Sequence, residues 1–298
     1  MTVPSKNGLA LYAELRSFHI VMFCGAIVVH ALACLAPSFF SWSAILVAGV
    51  LFFLTGEIGI NIGYHRLLSH ASFRVPRWLR CAIAMLGNFA LQGGPISWVG
   101  QHRTHHRESD QPLDPHTPLV GFWWAEFLWV FFDHPYFFDG PSKARFARDL
   151  TRDPFLRFLE RWHVSLNLVL LALLAIAGGL LEGQRGAIAW VVYAGGVRIV
   201  AIWHLTFIVN AVNHKWGYRN YETADNSRNN IWISLIVCLG EGWHNNHHAQ
   251  PRSAAHGHRP FEFDLAYNLI CCLERLGLAD KVHRPVSASV ARDARDNS

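Results

Sequence analysis

Charge is scarce in this sequence. Only 16% of its 298 residues are Asp, Glu, Lys or Arg, against roughly 25% in soluble domains, which argues against a soluble globular chain. Basic runs and nucleic-acid motifs are missing too, so a net charge of +5 makes no case for DNA or RNA binding. There is no CxxC pair. The six cysteines (Cys24, Cys34, Cys81, Cys238, Cys271 and Cys272) follow no regular spacing, which speaks against a disulfide framework and for buried free thiols. The first 17 residues lack the charged-then-apolar pattern of a cleavable signal, and about 286–298 reads as a disordered polar tail. What remains is apolar: 52% hydrophobic, with 12 Trp and 20 Phe. This composition predicts an all-α polytopic membrane protein of one domain.

A spanning helix needs about 20 mostly apolar residues. Four stretches meet that length: about 18–37, 42–63, 164–182 and 187–210. Short connections make each consecutive pair a helical hairpin, so the hairpins cover about 18–63 and 164–210. Two shorter apolar stretches, about 81–97 and 229–240, are interrupted by polar residues and read as interfacial or re-entrant. Lys and Arg number two in 1–17, twelve in 64–163 and ten in 211–298; only Arg185 and Arg198 fall elsewhere. The positive-inside tendency then places both termini and a helical cap, about 64–163 and 211–285, in the cytoplasm. The expected location is an integral, multi-pass membrane protein, in the inner membrane if the source is bacterial.

Histidines concentrate where that cap begins. "HRLLSH" holds His65 and His70; "HRTHH" holds His102, His105 and His106; "NAVNH" holds Asn210 and His214; "HNNHH" holds His244, His247 and His248. On a four-span topology all of them reach the same side of the membrane. Side chains at i, i+3 and i+4 share a helical face, so each H-x-x-H-H triplet is expected to aim into one volume. His65 and His70 lie about 140° apart on an ideal helix, which requires the helix to end or bend between them. Imidazole suits iron, copper, zinc and nickel. Eight or nine imidazoles are too many for one ion and enough for two. A charge-rich imidazole site with open positions for water or dioxygen favours redox-active iron over hydrolytic zinc.

These motifs, "GYHRLLSH" (63–70), "HRTHHRESDQPLDPH" (102–116) and "GEGWHNNHH" (240–248), resemble in order those of the membrane fatty acid desaturases, which include stearoyl-CoA and Δ9 desaturases. The likeness runs from about 50 to 280. It implies a four-helix stem with a cytosolic cap holding a di-iron centre, with His214 as a ninth ligand and Asn210 holding a metal-bound water. It further implies O2-dependent removal of two hydrogens from a long fatty acyl chain to leave a cis double bond, expected at Δ9, with two electrons from outside. An unactivated C–H bond lies beyond ordinary acid–base chemistry, so the metal must supply the oxidant. The chain's share is an apolar tunnel, expected along the second and fourth spans. The stretch before the second box, "ISWVGQ", carries no basic residue. Acyl-CoA, membrane lipid and acyl-ACP all stay open as carriers. No "HPGG" haem motif is present, so a separate ferredoxin, flavodoxin or cytochrome b5-like donor is expected. Zinc competes for imidazole sites and can replace iron on purification.

Asp110, Asp114 and Glu241 are candidate acceptors that orient the box imidazoles, with a polar turn as the plainer reading of the two aspartates. Glu57 is an intramembrane acid and a functional candidate on that ground. His116, His134, His163, His204, His256, His258 and His283 fit no ligand spacing, and surface or interfacial positions are expected for most. His19 and His30 are expected not to be ligands. Residues 121–138 read as an amphipathic interfacial helix. Two alternatives compete with desaturation. A di-iron hydroxylase or acetylenase would use the same boxes. A metal-binding transporter would need polar residues through the outer halves of the spans, and these are nearly absent.

Overall fold

Runs of Leu, Val, Ile and Ala broken by few polar residues leave the backbone one economical choice, to satisfy its own hydrogen bonds as helix. The computed structural model describes residues 17–133, 145–237 and 240–286. Cys238, His134 and the tail from 287 onward lie outside the described residues. Regular structure among the described residues is helical. Extended pairing is limited to isolated bridges such as Phe18 with Phe132 and Arg74 with Asp280.

Helix α1 (Ile20–Cys34) is followed by α2 (Trp42–Ser69), then α3 (Arg77–Asn88) and α4 (Pro95–Glu108). A short helix, α5 (Phe122–Glu126), precedes α6 (Pro154–Val212). Two further helices close the chain, α7 (His244–Ala249) and α8 (Leu265–Arg275). Among the described residues, only α2 and α6 are both long and apolar enough to cross a membrane by length and composition; α1 is apolar but shorter. Helix α6 folds back on itself at Gly183, whose φ of 72° and ψ of −168° are open to glycine at little cost. Its arms, 154–182 and 184–212, pack antiparallel: a Cβ on Gly178 would meet the Gly186 carbonyl oxygen at 2.6 Å.

The two connections meet at one end of the molecule. Ser43 Oγ donates to Glu182, Ser41 Oγ donates to Glu182 Oε2 at 3.3 Å, and Arg185 donates to the Ser38 carbonyl at 2.8 Å. The histidine motifs lie at the opposite ends of α2 and of the 184–212 arm.

Two expectations change, and the reading of 81–97 gains detail. Helix α1 packs mainly on the 184–212 arm and not on α2, because Gly196 lets its backbone approach Leu32 and Ala33 closely. Residues 81–97 divide into the end of amphipathic α3 and the start of α4, with α3 burying Ile83, Ala84 and Gly87 against α2. Residues 121–133 do not form one helix. They break after Glu126 into a turn that seats Phe127 and Phe131 against Trp203, Phe207 and Ala26.

Candidate metal centre

Helix α2 delivers His65 and His70 by its winding. From Phe53 to Ser69 its turns follow the wider i→i+5 pattern, which sets residue i beside i+5. The His70 N–H donates to the His65 carbonyl at 3.2 Å, and the two rings lie 5.1 Å apart. The helix ends at Ser69, between the two, and its widened last turns set His70, the residue that caps it, beside His65.

Helix α4 starts at Pro95, and its free N–H groups are answered from another helix. Glu160 accepts from Ile96 N at 2.9 Å and Ser97 N at 3.1 Å, and also from Ser97 Oγ. This fixes the helix bearing His102, His105 and His106. Helix α7 spans only six residues, too short to be stable alone. Its two asparagines anchor it. Asn229 Oδ1 accepts from Asn245 N and Asn246 N, while Asn245 Oδ1 accepts from Asn220 N and Tyr221 N.

All nine histidines come together, in two groups. His65, His70, His102, His106 and His247 form one; His105, His214, His244 and His248 form the other. Within each group the potential ligand atoms lie within 4.8 Å of one another. Each H-x-x-H-H triplet is divided between them: the i, i+4 pairs His102/His106 and His244/His248 stay together, and His105 and His247 cross to the other group. The expected single volume per triplet is thus corrected to a shared one.

Facing Nε2 atoms lie close: His65 and His247 at 3.0 Å, His70 and His102 at 2.8 Å, His106 and His247 at 2.8 Å, His105 and His248 at 3.3 Å, His214 and His244 at 3.1 Å. Four rings are held from behind. Nδ1 of His65 donates to Glu241 (2.8 Å), of His105 to Asp114 (3.0 Å), of His214 to Asp110 (3.0 Å) and of His248 to Asp225 (2.6 Å). A hydrogen on Nδ1 leaves the Nε2 lone pair free, and carboxylate backing raises its basicity. Paired lone pairs such as those of His105 and His248 repel unless a cation lies between them, so the donor set fits metal ions. Burial first, then neighbouring imidazoles, pushes His70, His102, His106, His244, His247 and His248 well below the ordinary histidine range. Burial and the nearby His214 bring His105 down to about 3. Neutral imidazole is the ligating form.

Asp110, Asp114 and Glu241 all sit where the sequence predicts acceptors. Spacing did not reveal Asp225, Arg66 or Asp264. Arg66 is fully buried, donates to Glu241 Oε1 at 2.7 Å and to Asp264 at 2.9 Å, and so braces the His65 acceptor. His116 and His256, expected at surfaces, are buried. The His116 ring lies 4.3 Å from that of His105, and the His256 ring 4.4 Å from that of His247. Both follow loops rather than helical periods, so no spacing signal marks them. His204 and His30 meet each other at 3.1 Å between α1 and α6, with Glu126 accepting from His204 Nδ1 at 2.5 Å.

A cavity opens beside the centre. Phe52, Phe53, Glu57, Ile60 and Asn61 of α2 form one wall, and Ile202, Thr206 and Asn210 of α6 the facing one; His65, His102 and His244 lie at its end. Asn210 thus faces the same space as three of the histidines.

Residues 19–263 match the family model described as fatty acid desaturase. The chain is 47% identical over 270 residues, 90% of each protein, to a Nostoc sp. (strain 36) protein named sn-2 palmitoyl-lipid 9-desaturase. It is 42% identical over 252 residues to the sn-1 stearoyl-lipid 9-desaturase of Anabaena variabilis, covering 85% of this chain and 88% of that one. With its histidine groups, its family match and its kinship over most of its length, the chain belongs to the fatty acid desaturase family.

Proposed function

We propose that this protein is an oxidoreductase that introduces a cis double bond, at Δ9, into a long-chain fatty acyl group carried on a membrane lipid. The observation that carries the reading is the division of nine buried histidines into two groups at the end of a mostly apolar cavity. The Δ9 position and the lipid carrier are supported by the names of the two relatives.

His65, His70, His102, His106 and His247 would hold one iron ion and His105, His214, His244 and His248 the other, with Asn210 placed to hold a water. The two irons, when bound, supply the oxidant that an unactivated C–H bond requires, using O2 and two electrons from a separate donor. The chain's residues do the rest. Glu241, Asp114, Asp110 and Asp225 keep four imidazoles turned Nε2-inward. Phe53, Ile60 and Ile202 line the path of the acyl chain and keep water from it, which fixes the carbons that reach the histidines.

The chain is read as crossing the membrane four times, through α1, α2 and the two arms of α6, with cap regions about 64–163 and 211–285 in the cytoplasm. The shared end of the two connections, the opposite end of the histidines and the uneven Lys and Arg distribution all support this arrangement.

Expression in a host with a matched donor, followed by mass spectrometry of its lipids, tests the function. Products two hydrogen masses lighter support it. Products one oxygen mass heavier would establish a hydroxylase instead.

A further inference from the structure

Removing two hydrogens from an acyl chain yields two electrons and two protons, whereas reducing O2 to two waters takes four of each. Two electrons therefore have to enter from outside, across a face where the histidines come nearest to water. Of the nine, His70, His102, His106 and His248 are only partly buried. His102 lines the cavity, and the other three do not. His70 and His248 are the last residues of their motifs, one in each group, and the chain runs from them into 71–74 and 250–254. A third segment, 280–286, joins these two. His283 N donates to the Ser72 carbonyl at 2.8 Å, and the His283 carbonyl accepts from Ala254 N at 2.7 Å. Arg74 and Asp280 exchange both of their backbone hydrogen bonds, and the Gln250 side chain exchanges two with the Val286 backbone. These three segments carry Arg74, Arg252, Lys281 and Arg284, all exposed, against one acid, Asp280. Arg284 pairs with Glu274 at 2.6 Å, but among the described residues no ion pair engages Arg74, Arg252 or Lys281.

We propose that this face is where an electron-donating protein docks, a small soluble redox protein with an acidic surface around its own cofactor. The inference rests on the proposed desaturase reading for the need of a donor; the charge and exposure of the face stand apart from it. Unpaired cations at a rim steer an acidic partner and fix its orientation more than they add affinity. Two successive one-electron visits complete the balance, with the two protons drawn from water. The face suits both metal groups, since one of its segments leaves from His70 and another from His248.

The test is equilibrium binding of an oxidised [2Fe–2S] ferredoxin of net negative charge to the full-length protein in nanodiscs of zwitterionic lipid, with and without metal. Raising the ionic strength from about 20 mM to about 200 mM shortens the screening length and is expected to weaken binding about tenfold or more. Arg252→Glu combined with Lys281→Glu should do the same at low salt, with the melting temperature unchanged. Arg252→Gln combined with Lys281→Gln should fall between, and Arg148→Glu, exposed on another stretch of the cap, should leave binding as it was. In turnover with the reduced ferredoxin, the paired reversal should raise KM for the donor about tenfold and keep kcat. Binding that ignores the paired reversal, or that Arg148→Glu weakens equally, overturns the inference. So does a reversal that releases vesicles of anionic lipid and leaves the ferredoxin bound. The two readings fail separately: charge-dependent binding without desaturation sinks only the activity, and desaturation whose donor KM ignores the reversal sinks only the docking face.

Discussion

Asp225 shows how much a single side chain outside every motif can contribute. Burial disfavours its charge, but the hydrogen bond from His248 Nδ1 outweighs that and holds the carboxyl far below its usual range. Removing the charge should therefore free the His248 ring. Asp225→Asn is expected to weaken metal binding about 10- to 100-fold, measured by competition with a chelator, with the helical content unchanged. Ligands themselves are less forgiving: His247→Ala, which removes the ring facing both His65 and His106, should abolish oxidation while leaving membrane insertion intact, as judged by fractionation and product analysis. The depressed imidazoles also set a pH dependence. Their folded-state values lie below the ordinary 6.5, so below that pH the unfolded chain binds more protons than the folded one. Their contribution is complete above pH 6.5 and lost as pH falls toward about 3, where burial and the neighbouring His214 bring His105. Melting temperatures of metal-free protein should fall steadily between neutral pH and pH 4; a flat profile would contradict neutral, buried rings.

At the scale of elements, the fixed points are helix ends and winding. Glu160 serves as a cap delivered by a different helix, satisfying two backbone N–H groups of α4. Glu160→Ala should cost about 1–2 kcal/mol, the range of a lost helix cap, and lower the melting temperature by about 2–4 °C per kcal/mol in a chain of this size. The spacing of "HRTHH" and "HNNHH" made their two helices and six of the nine gathered histidines legible in the sequence. It did not make legible which histidine faces which group, because i+3 and i+4 positions differ by a fraction of a turn and only the packing of α4 against α7 decides between them. The widened winding of α2 was hidden for a similar reason: an i→i+5 ladder leaves no hydrophobic period of its own in so apolar a run. Asp225, His116 and His256 sit in loops, where sequence distance says nothing about distance in space.

For the whole molecule, the decisive relation is between its two ends. The connections around Ser38 and Gly183 touch, and the histidines gather at the other end. On the proposed topology a cysteine in the α6 bend faces the outside. In intact cells, Gln184→Cys should react with a membrane-impermeant maleimide, whereas Ser253→Cys should react only after permeabilisation. Reversed labelling would invert the orientation, and equal labelling of both sites would break it.

The buried Arg66 binds Glu241 and Asp264, residues 175 and 198 positions further along the chain. During synthesis, α2 therefore reaches its place long before the partners of its arginine exist. Until the segment from Glu241 to His248 leaves the ribosome, His65 has no acceptor behind it and the wall carrying His244, His247 and His248 is missing. Assembly of the centre is thus a late event in the life of the nascent chain, after α2 and both arms of α6 have been made. On the proposed reading, the centre can hold both ions only once the segment carrying His244, His247 and His248 has been made.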